Sequence, residues 1–124
     1  MLDELNSPIM SIPGISYVLA SIILSEIGDI QCFSTPAKLL AFSGLEPSTH
    51  QSGKYIASHS KMVKRGSKYL RWALLQAALL TTNKTQTFKS YFQKKKSEGK
   101  HHIVCLSHVA KKLLRVIYHL ENTN

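Results

Sequence analysis

A serine beside a run of basic residues is the part of this sequence whose residue types could do chemistry. Ser52 lies in the segment Gln51-Ser52-Gly53-Lys54, and further cations follow at Lys61, Lys64, Arg65, Lys68 and Arg71. A serine hydroxyl that attacks phosphorus needs an exposed, flexible backbone position and positive charge to stabilise the charge that develops. The segment supplies both, but serine is common in loops, and spacing alone does not separate a nucleophile from an ordinary loop residue.

The segment Lys64-Arg65-Gly66-Ser67-Lys68 leads into a helical pattern, and Arg71 follows one turn later. This layout places several cations near one helix end, where they could hold a phosphate. The alternative is simple solvation of a charged helix end, and the motif by itself leaves both interpretations open.

A second candidate phosphate contact is the turn Pro13-Gly14-Ile15-Ser16. It resembles a helix-hairpin-helix element, in which a tight turn at a helix N-terminus directs backbone N–H groups at a DNA phosphate. Gly14, Ile15 and Ser16 would make that contact, although Ser16 stands where the usual second glycine would be. An ordinary helix start is the alternative.

Metal chemistry is not expected within this chain. His101 and His102 are adjacent and cannot share one helix face, and His108 and His119 are not at the i, i+4 spacing of zinc ligands. Glu26, Asp29 and Glu46 are the only acids of the core region, too few for a magnesium site that needs several converging carboxylates. His50 or His59 could assist proton transfer near Ser52, but the sequence does not place them.

The charge distribution favours a polyanionic partner. Sixteen Lys and Arg stand against seven Asp and Glu, a net charge of +9, and the stretch from Pro47 to Ser97 contains eleven basic residues and no acid. A single-sign stretch of this length should attract nucleic acid. Charge kept only for solubility usually mixes signs.

Size and patterning exclude several other classes of protein. The 124 residues are one domain's worth of chain, and no apolar run reaches the roughly 18 to 20 residues needed to span a membrane. Nothing marks the chain for export, so we expect a cytoplasmic protein. Cys32 and Cys105 are far apart and are interpreted as two free, buried thiols in a reducing compartment.

The periodicity predicts an all-α fold, a small helical domain with a helix-hairpin-helix-like N-terminal element and a long basic loop. Residues 1–10 are expected to end a linker helix, and residues 11–124 to form the domain. Predicted helices cover 15–27, 37–42, 67–80, 85–96 and 102–120, and 45–66 is predicted to be a loop with a short hairpin near 54–57. The expected core includes Trp72 and Leu80 in the central helix, and Val104, Leu113 and Val116 in the last one.

Six motifs follow one another in a characteristic order: Ser11-Ile12-Pro13-Gly14-Ile15, Ser25-Glu26-Ile27-Gly28-Asp29-Ile30, Phe33, Lys38 to Pro47, Gln51-Ser52-Gly53, and Lys64 to Arg71. In this order they resemble the C-terminal domain of the insertion-sequence one-ten transposases, a family that includes a pilin-gene invertase. The resemblance is close from residue 9 to about residue 80. Val63 stands where the family has a serine, so a role for that serine is lost or has moved to Ser60.

The resemblance implies a specific chemistry. Such transposases join a RuvC-like N-terminal domain, whose four acidic residues bind Mg²⁺, to a C-terminal domain with a catalytic serine that becomes covalently linked to DNA. That serine corresponds to Ser52. Family members act as homo-oligomers and use a structured non-coding guide RNA to choose their DNA, so DNA, such an RNA and further copies of the chain are the implied partners.

The sequence is therefore compatible with two functions. The first is the C-terminal part of a DNA transposase or site-specific recombinase, with Ser52 as nucleophile and Lys54, Lys61, Lys64, Arg65, Lys68 and Arg71 as DNA contacts. The second is a non-catalytic helix-hairpin-helix module that only binds DNA. On the first interpretation this segment alone binds nucleic acid but does not cleave it.

Overall fold

The computed structural model describes residues 7–45 and 53–122, and in the second range it describes side chains from residue 68 onward. The described part is helical, with no strand. A 3-10 turn at Pro8–Ser11 precedes helix α1 (Tyr17–Ile27), and a second one at Ile30–Cys32 separates α1 from α2 (Pro36–Ser43). Three further helices follow: α3 (Gly53–Lys84), α4 (Gln86–Ser97) and α5 (His102–Asn122). The all-α prediction is confirmed.

Side chains at the helix starts explain where the shorter helices begin. The Ser16, Thr35 and Thr85 hydroxyls each accept a hydrogen bond from the backbone N–H three residues later, and so cap α1, α2 and α4. Such caps satisfy amides that have no partner within the helix. Gly44 ends α2 in the left-handed conformation, as the sequence predicts.

Helix α3 is the centre of the fold, because it packs against all four other helices. Its buried side is built from residues such as Leu70, Leu74 and Ala77, which are fully buried. The surrounding helices contribute Ile23, Leu39, Leu113, Leu114 and Ile117 to the same core. Tyr118 of α5 also donates a hydrogen bond of 2.9 Å to the Phe33 carbonyl. The basic residues from Lys54 to Arg71 therefore belong to a helix that is well packed against the rest of the fold.

The predicted loop over 45–66 is wrong from residue 53 onward, and so is the hairpin near 54–57. Helix α3 begins at Gly53 rather than at Ser67 and runs without interruption through Gly66. A glycine in a helix interior costs about 1 kcal/mol relative to alanine. Each residue added to an existing helix forms a further hydrogen bond, whereas a new helix needs a costly nucleus. The packed segment from Leu70 onward supplies that nucleus.

Several predictions of burial are also wrong. Trp72 is 53% exposed and Leu80 is 40% exposed, although both were expected in the core. Val104 and Val116 are exposed, whereas Leu114 and Tyr118 are buried in their place. Of the two cysteines, Cys105 is buried and Cys32 is exposed, and both are free thiols. The buried face of α5 is therefore rotated toward positions 110, 114 and 118, compared with the face that the sequence predicts.

No helix in the described ranges combines the length and the apolar character that crossing a membrane requires.

Candidate nucleic-acid interface

The continuity of α3 gives its basic residues a common geometry. Residues three and four apart lie on the same side of an α-helix, so the backbone positions 61, 64, 65, 68 and 71 share one side of α3. The positions of buried Leu70, Ala73, Leu74 and Ala77 lie on the other side. What was predicted as a basic loop is, from residue 53, one edge of a 32-residue helix. Lys54 lies in the first turn of the same helix.

Lys68 and Arg71 are the two predicted contacts whose side chains the structure describes, and both are exposed. Two exposed aromatic residues alternate with them: Tyr69 is 57% exposed and Trp72 is 53% exposed. The Lys68 ammonium lies 5.9 Å from the centroid of the Tyr69 ring, within reach of a cation–π interaction. Aromatic rings among cations offer a nucleic acid both stacking surface and phosphate contacts.

The two aromatic residues face α1 across a shallow groove of about 400 Å³. Ser21, Ile22, Ser25 and Glu26 of α1 line its other wall. The Glu26 carboxylate is half-buried there and would repel a phosphate. Phosphate groups are therefore expected along the Lys68 and Arg71 edge, not on the α1 wall.

The turn at Gly14 is held by packing against α3. Gly14 has a φ of +100°, and a Cβ there would lie 2.7 Å from the Thr81 backbone nitrogen and 2.8 Å from the Thr81 Cα. Ile15 is buried, and its N–H already donates to the Ile12 carbonyl at 3.1 Å. Ser16 is exposed, but its hydroxyl accepts from the Leu19 N–H at 3.3 Å. The structure thus explains Gly14 and Ser16 by packing and capping.

A helix-hairpin-helix element also needs a helix before its turn. What precedes Gly14 in residues 7–13 is the 3-10 turn at Pro8–Ser11. The contact of Gly14, Ile15 and Ser16 with DNA stays a prediction.

Ser52 lies outside the described residues, as do Glu46, His50 and Gln51. The side chains of Lys54, Lys61, Lys64 and Arg65 are likewise outside them, although their backbones belong to α3. The structure does fix one relation. Helix α3 begins at Gly53, the residue directly after Ser52 in the chain. A helix N-terminus presents free N–H groups and the positive end of the helix dipole, which both favour an anion.

Metal ligands do not gather in the part of the chain that the structure describes. No group of three or more His, Cys, Asp or Glu residues there could hold a metal ion. The described residues therefore do not fit the magnesium ion that the family resemblance implies.

A family model described as "Transposase IS116/IS110/IS902 family" matches residues 6–93, more than half of the chain. The chain belongs to this transposase family. The match covers α1 to α3 and most of α4, and so includes the whole basic side of α3. The resemblance predicted from the ordered motifs is confirmed.

Individual relatives agree with this assignment. The chain is 30% identical over 114 residues to an uncharacterised 43.6 kDa protein of insertion element IS110 from Streptomyces coelicolor, covering 90% of this chain and 28% of the relative. It is 31% identical over 119 residues to the pilin gene-inverting protein of Moraxella bovis, covering 93% and 37%. A transposase for insertion sequence element IS1111A from Coxiella burnetii is 37% identical over 83 residues, covering 65% and 22%. No solved structure matches the chain significantly.

The chain spans roughly a quarter to two fifths of the length of these relatives.

Sequence reasoning missed Tyr69 and Trp72 as surface residues. The signal was present, because Trp72 follows Lys68 by four residues and must lie on the same side of a helix. The apolar character of tryptophan predicts burial instead, and that prediction is wrong for Trp72.

Proposed function

We propose that this chain is the segment of a transposase that binds DNA along the basic side of α3 and supplies Ser52 as the nucleophile for strand exchange. The observation that carries the proposal is that one continuous helix begins directly after Ser52 and bears Lys61, Lys64, Arg65, Lys68 and Arg71 on one side. A DNA backbone following that side would bring a phosphate to the helix start. There the helix dipole and Lys54 would favour its negative charge.

The chemical step is a transesterification. The Ser52 Oγ bonds to phosphorus, one P–O bond of the phosphodiester breaks, and the released strand end leaves as a hydroxyl after taking up a proton. The serine proton passes to a base. One phosphoester replaces another, so the reverse attack by a strand hydroxyl can rejoin DNA without another energy source. Cations near the phosphate stabilise the charge that develops on its oxygens.

Two further partners, additional copies of the protein and a guide RNA, are proposed from the family resemblance alone. A homo-oligomer and a structured guide RNA are proposed for the whole protein, with the acidic magnesium-binding residues outside this chain.

The DNA-binding part predicts a loss of affinity when Lys68 and Arg71 are both replaced by glutamine. Each phosphate contact contributes about one to the slope of log affinity against log salt concentration. We therefore expect the slope to become shallower by about two, and the affinity at low salt to fall by about tenfold or more. Fluorescence anisotropy with a labelled 20-base-pair duplex at several salt concentrations measures both quantities.

The matched control replaces Lys38 of α2 and Lys84 at the end of α3 by glutamine, which removes two exposed cations that are not part of the basic side of α3. It changes the net charge equally and should shift the affinity less than threefold or so, because exposed charges beyond a Debye length are screened. An affinity of the unmodified chain that does not change with salt would contradict the proposal.

A further inference from the structure

A second cluster of basic residues lies between α4 and α5, outside the surface on α3. His108, Lys111, Lys112 and Arg115 are spaced three and four residues apart, so they share one face of α5. Together with Tyr91 of α4 they line a groove of about 280 Å³. We call the surface formed by these five residues the α4–α5 groove.

The Tyr91 ring holds cations from both helices. The Lys112 ammonium lies 4.7 Å from the ring centroid, and the Lys95 ammonium lies 5.5 Å from it. A ring centroid attracts a cation at these distances. Because two ammonium groups already occupy the ring, it is better suited to position charge than to stack a base. The ligand is therefore one recognised through its negative charge.

Little negative charge opposes these cations. From residue 85 to residue 120 the sequence contains eight Lys and Arg and a single acid, Glu98. Glu98 lies 3.7 Å from the Lys95 ammonium and 3.9 Å from that of Lys100. Among the residues that the structure describes, the charges that act on His108 are three lysines, Lys111, Lys95 and Lys100, and one carboxylate, Glu98, so positive charge predominates there.

We propose that the α4–α5 groove is a second contact for the sugar-phosphate backbone of DNA, separate from the basic side of α3. A concave site lined by several cations fits a phosphodiester, and the Arg115 guanidinium can bind two phosphate oxygens at once. The inference rests on the proposed function, which makes DNA the polyanion. Contact through phosphates predicts binding that does not depend on base sequence.

The environment of His108 supports this assignment. Its pKa is lowered from the ordinary value of 6.5 by burial, and then by the nearby charges of Lys111, Lys95 and Lys100, with Glu98 acting weakly in the opposite direction. The imidazole is therefore neutral near pH 7. A phosphate bound in the groove would oppose the repulsion among these cations and raise the pKa of His108.

The principal test replaces Lys112 and Arg115 by glutamine in this chain and repeats the anisotropy titrations in salt. We expect the salt slope to become shallower by about two and the affinity to fall by tenfold or so, with equal losses on duplexes of unrelated sequence. The Lys38 and Lys84 double variant is again the control. A groove variant that binds DNA like that control would overturn the proposal, while the Lys68 and Arg71 variant would still report on α3.

Tyr91 supplies a second variant that separates positioning from folding. Tyr91→Phe keeps the ring and should bind DNA normally, whereas Tyr91→Leu removes the attraction for the Lys95 and Lys112 ammonium groups and should bind several-fold more weakly. Thermal unfolding of both variants checks that the chain is folded at the assay temperature. Equal affinities of folded Phe and Leu variants would contradict the role given to the ring.

The pH dependence of binding is the last test. The DNA affinity of the unmodified chain should rise as the pH falls from 7.5 to 5.5, because protonation of His108 adds a cation to the groove. Without DNA the same proton is unfavourable: the unfolded chain takes it up first, so the contribution of His108 to stability falls as the pH drops below about 6.5. Protonation of His108 therefore cannot raise the affinity by making the fold more stable. A rise of the same size in His108→Gln would overturn the contact, and no salt-dependent binding by the unmodified chain would overturn both proposals.

Discussion

Replacing Gly14 with alanine is expected to destabilise the fold by about 2 to 5 kcal/mol. Two costs add. A φ of +100° is unfavourable for an L-residue by about 1 to 2 kcal/mol. The new Cβ would also lie 2.7 to 2.9 Å from backbone atoms of Leu80 and Thr81, and forced overpacking costs about 1 to 3 kcal/mol. The backbone of a packed helix cannot move away as the end of a side chain can.

Gly99→Ala is the matched control. Gly99 also has a positive φ, +88°, but a Cβ there would meet no atom within 4 Å. It should therefore cost only the conformational part, about 1 to 2 kcal/mol. Urea denaturation of both variants gives the difference directly. If the two substitutions proved equally destabilising, the close approach of the Gly14 turn to α3 would be wrong.

This pair of variants also bears on the interpretation of the turn as a DNA contact. A glycine whose main role is packing should change DNA affinity little once the variant is measured where it is folded. A glycine that lets a phosphate approach the backbone should lose affinity in the folded variant too.

The sequence predicted the short helices well because their limits are local. Caps at Ser16, Thr35 and Thr85 and stops at Gly28 and Gly44 depend on residues within one turn, and the structure contains these elements nearly as predicted. The start of α3 could not be predicted this way. Residues 53–66 lack apolar periodicity, and their helical state depends on a core that begins only at Leu70.

In the candidate sites, too, the sequence shows the spacing of the residues, whereas their contacts depend on how the helices pack. The spacing of His108, Lys111, Lys112 and Arg115 is visible in the sequence, but the groove exists because α4 places Tyr91 and Lys95 against that face. The exposure of Trp72 likewise depends on where α1 packs against α3. Charge and spacing therefore indicate a polyanion partner, and tertiary packing decides which cations act together.

The largest effect is expected at Ser52. On the proposed function, Ser52→Ala in a full-length transposase that contains this sequence should abolish the covalent protein–DNA adduct, a loss of at least about a thousandfold, because the variant lacks the proposed nucleophile. DNA affinity should change little, since the phosphate contacts of α3 remain. Incubation with end-labelled DNA, followed by denaturing electrophoresis, measures the adduct, and anisotropy measures the affinity.

Neighbouring serines provide the controls. Ser48, to be replaced by alanine, is four residues before Ser52 in the sequence. Ser60, likewise replaced by alanine, lies in α3, near the position where Val63 departs from the family pattern. Both should leave adduct formation within a few-fold of the unmodified protein. Ser52→Cys keeps a nucleophile at the same position, and any adduct it forms would be a thiophosphate ester, distinguishable by mass spectrometry. An unchanged adduct in Ser52→Ala would remove Ser52 from the mechanism. Loss of the adduct only in Ser60→Ala would place the nucleophile within α3 instead.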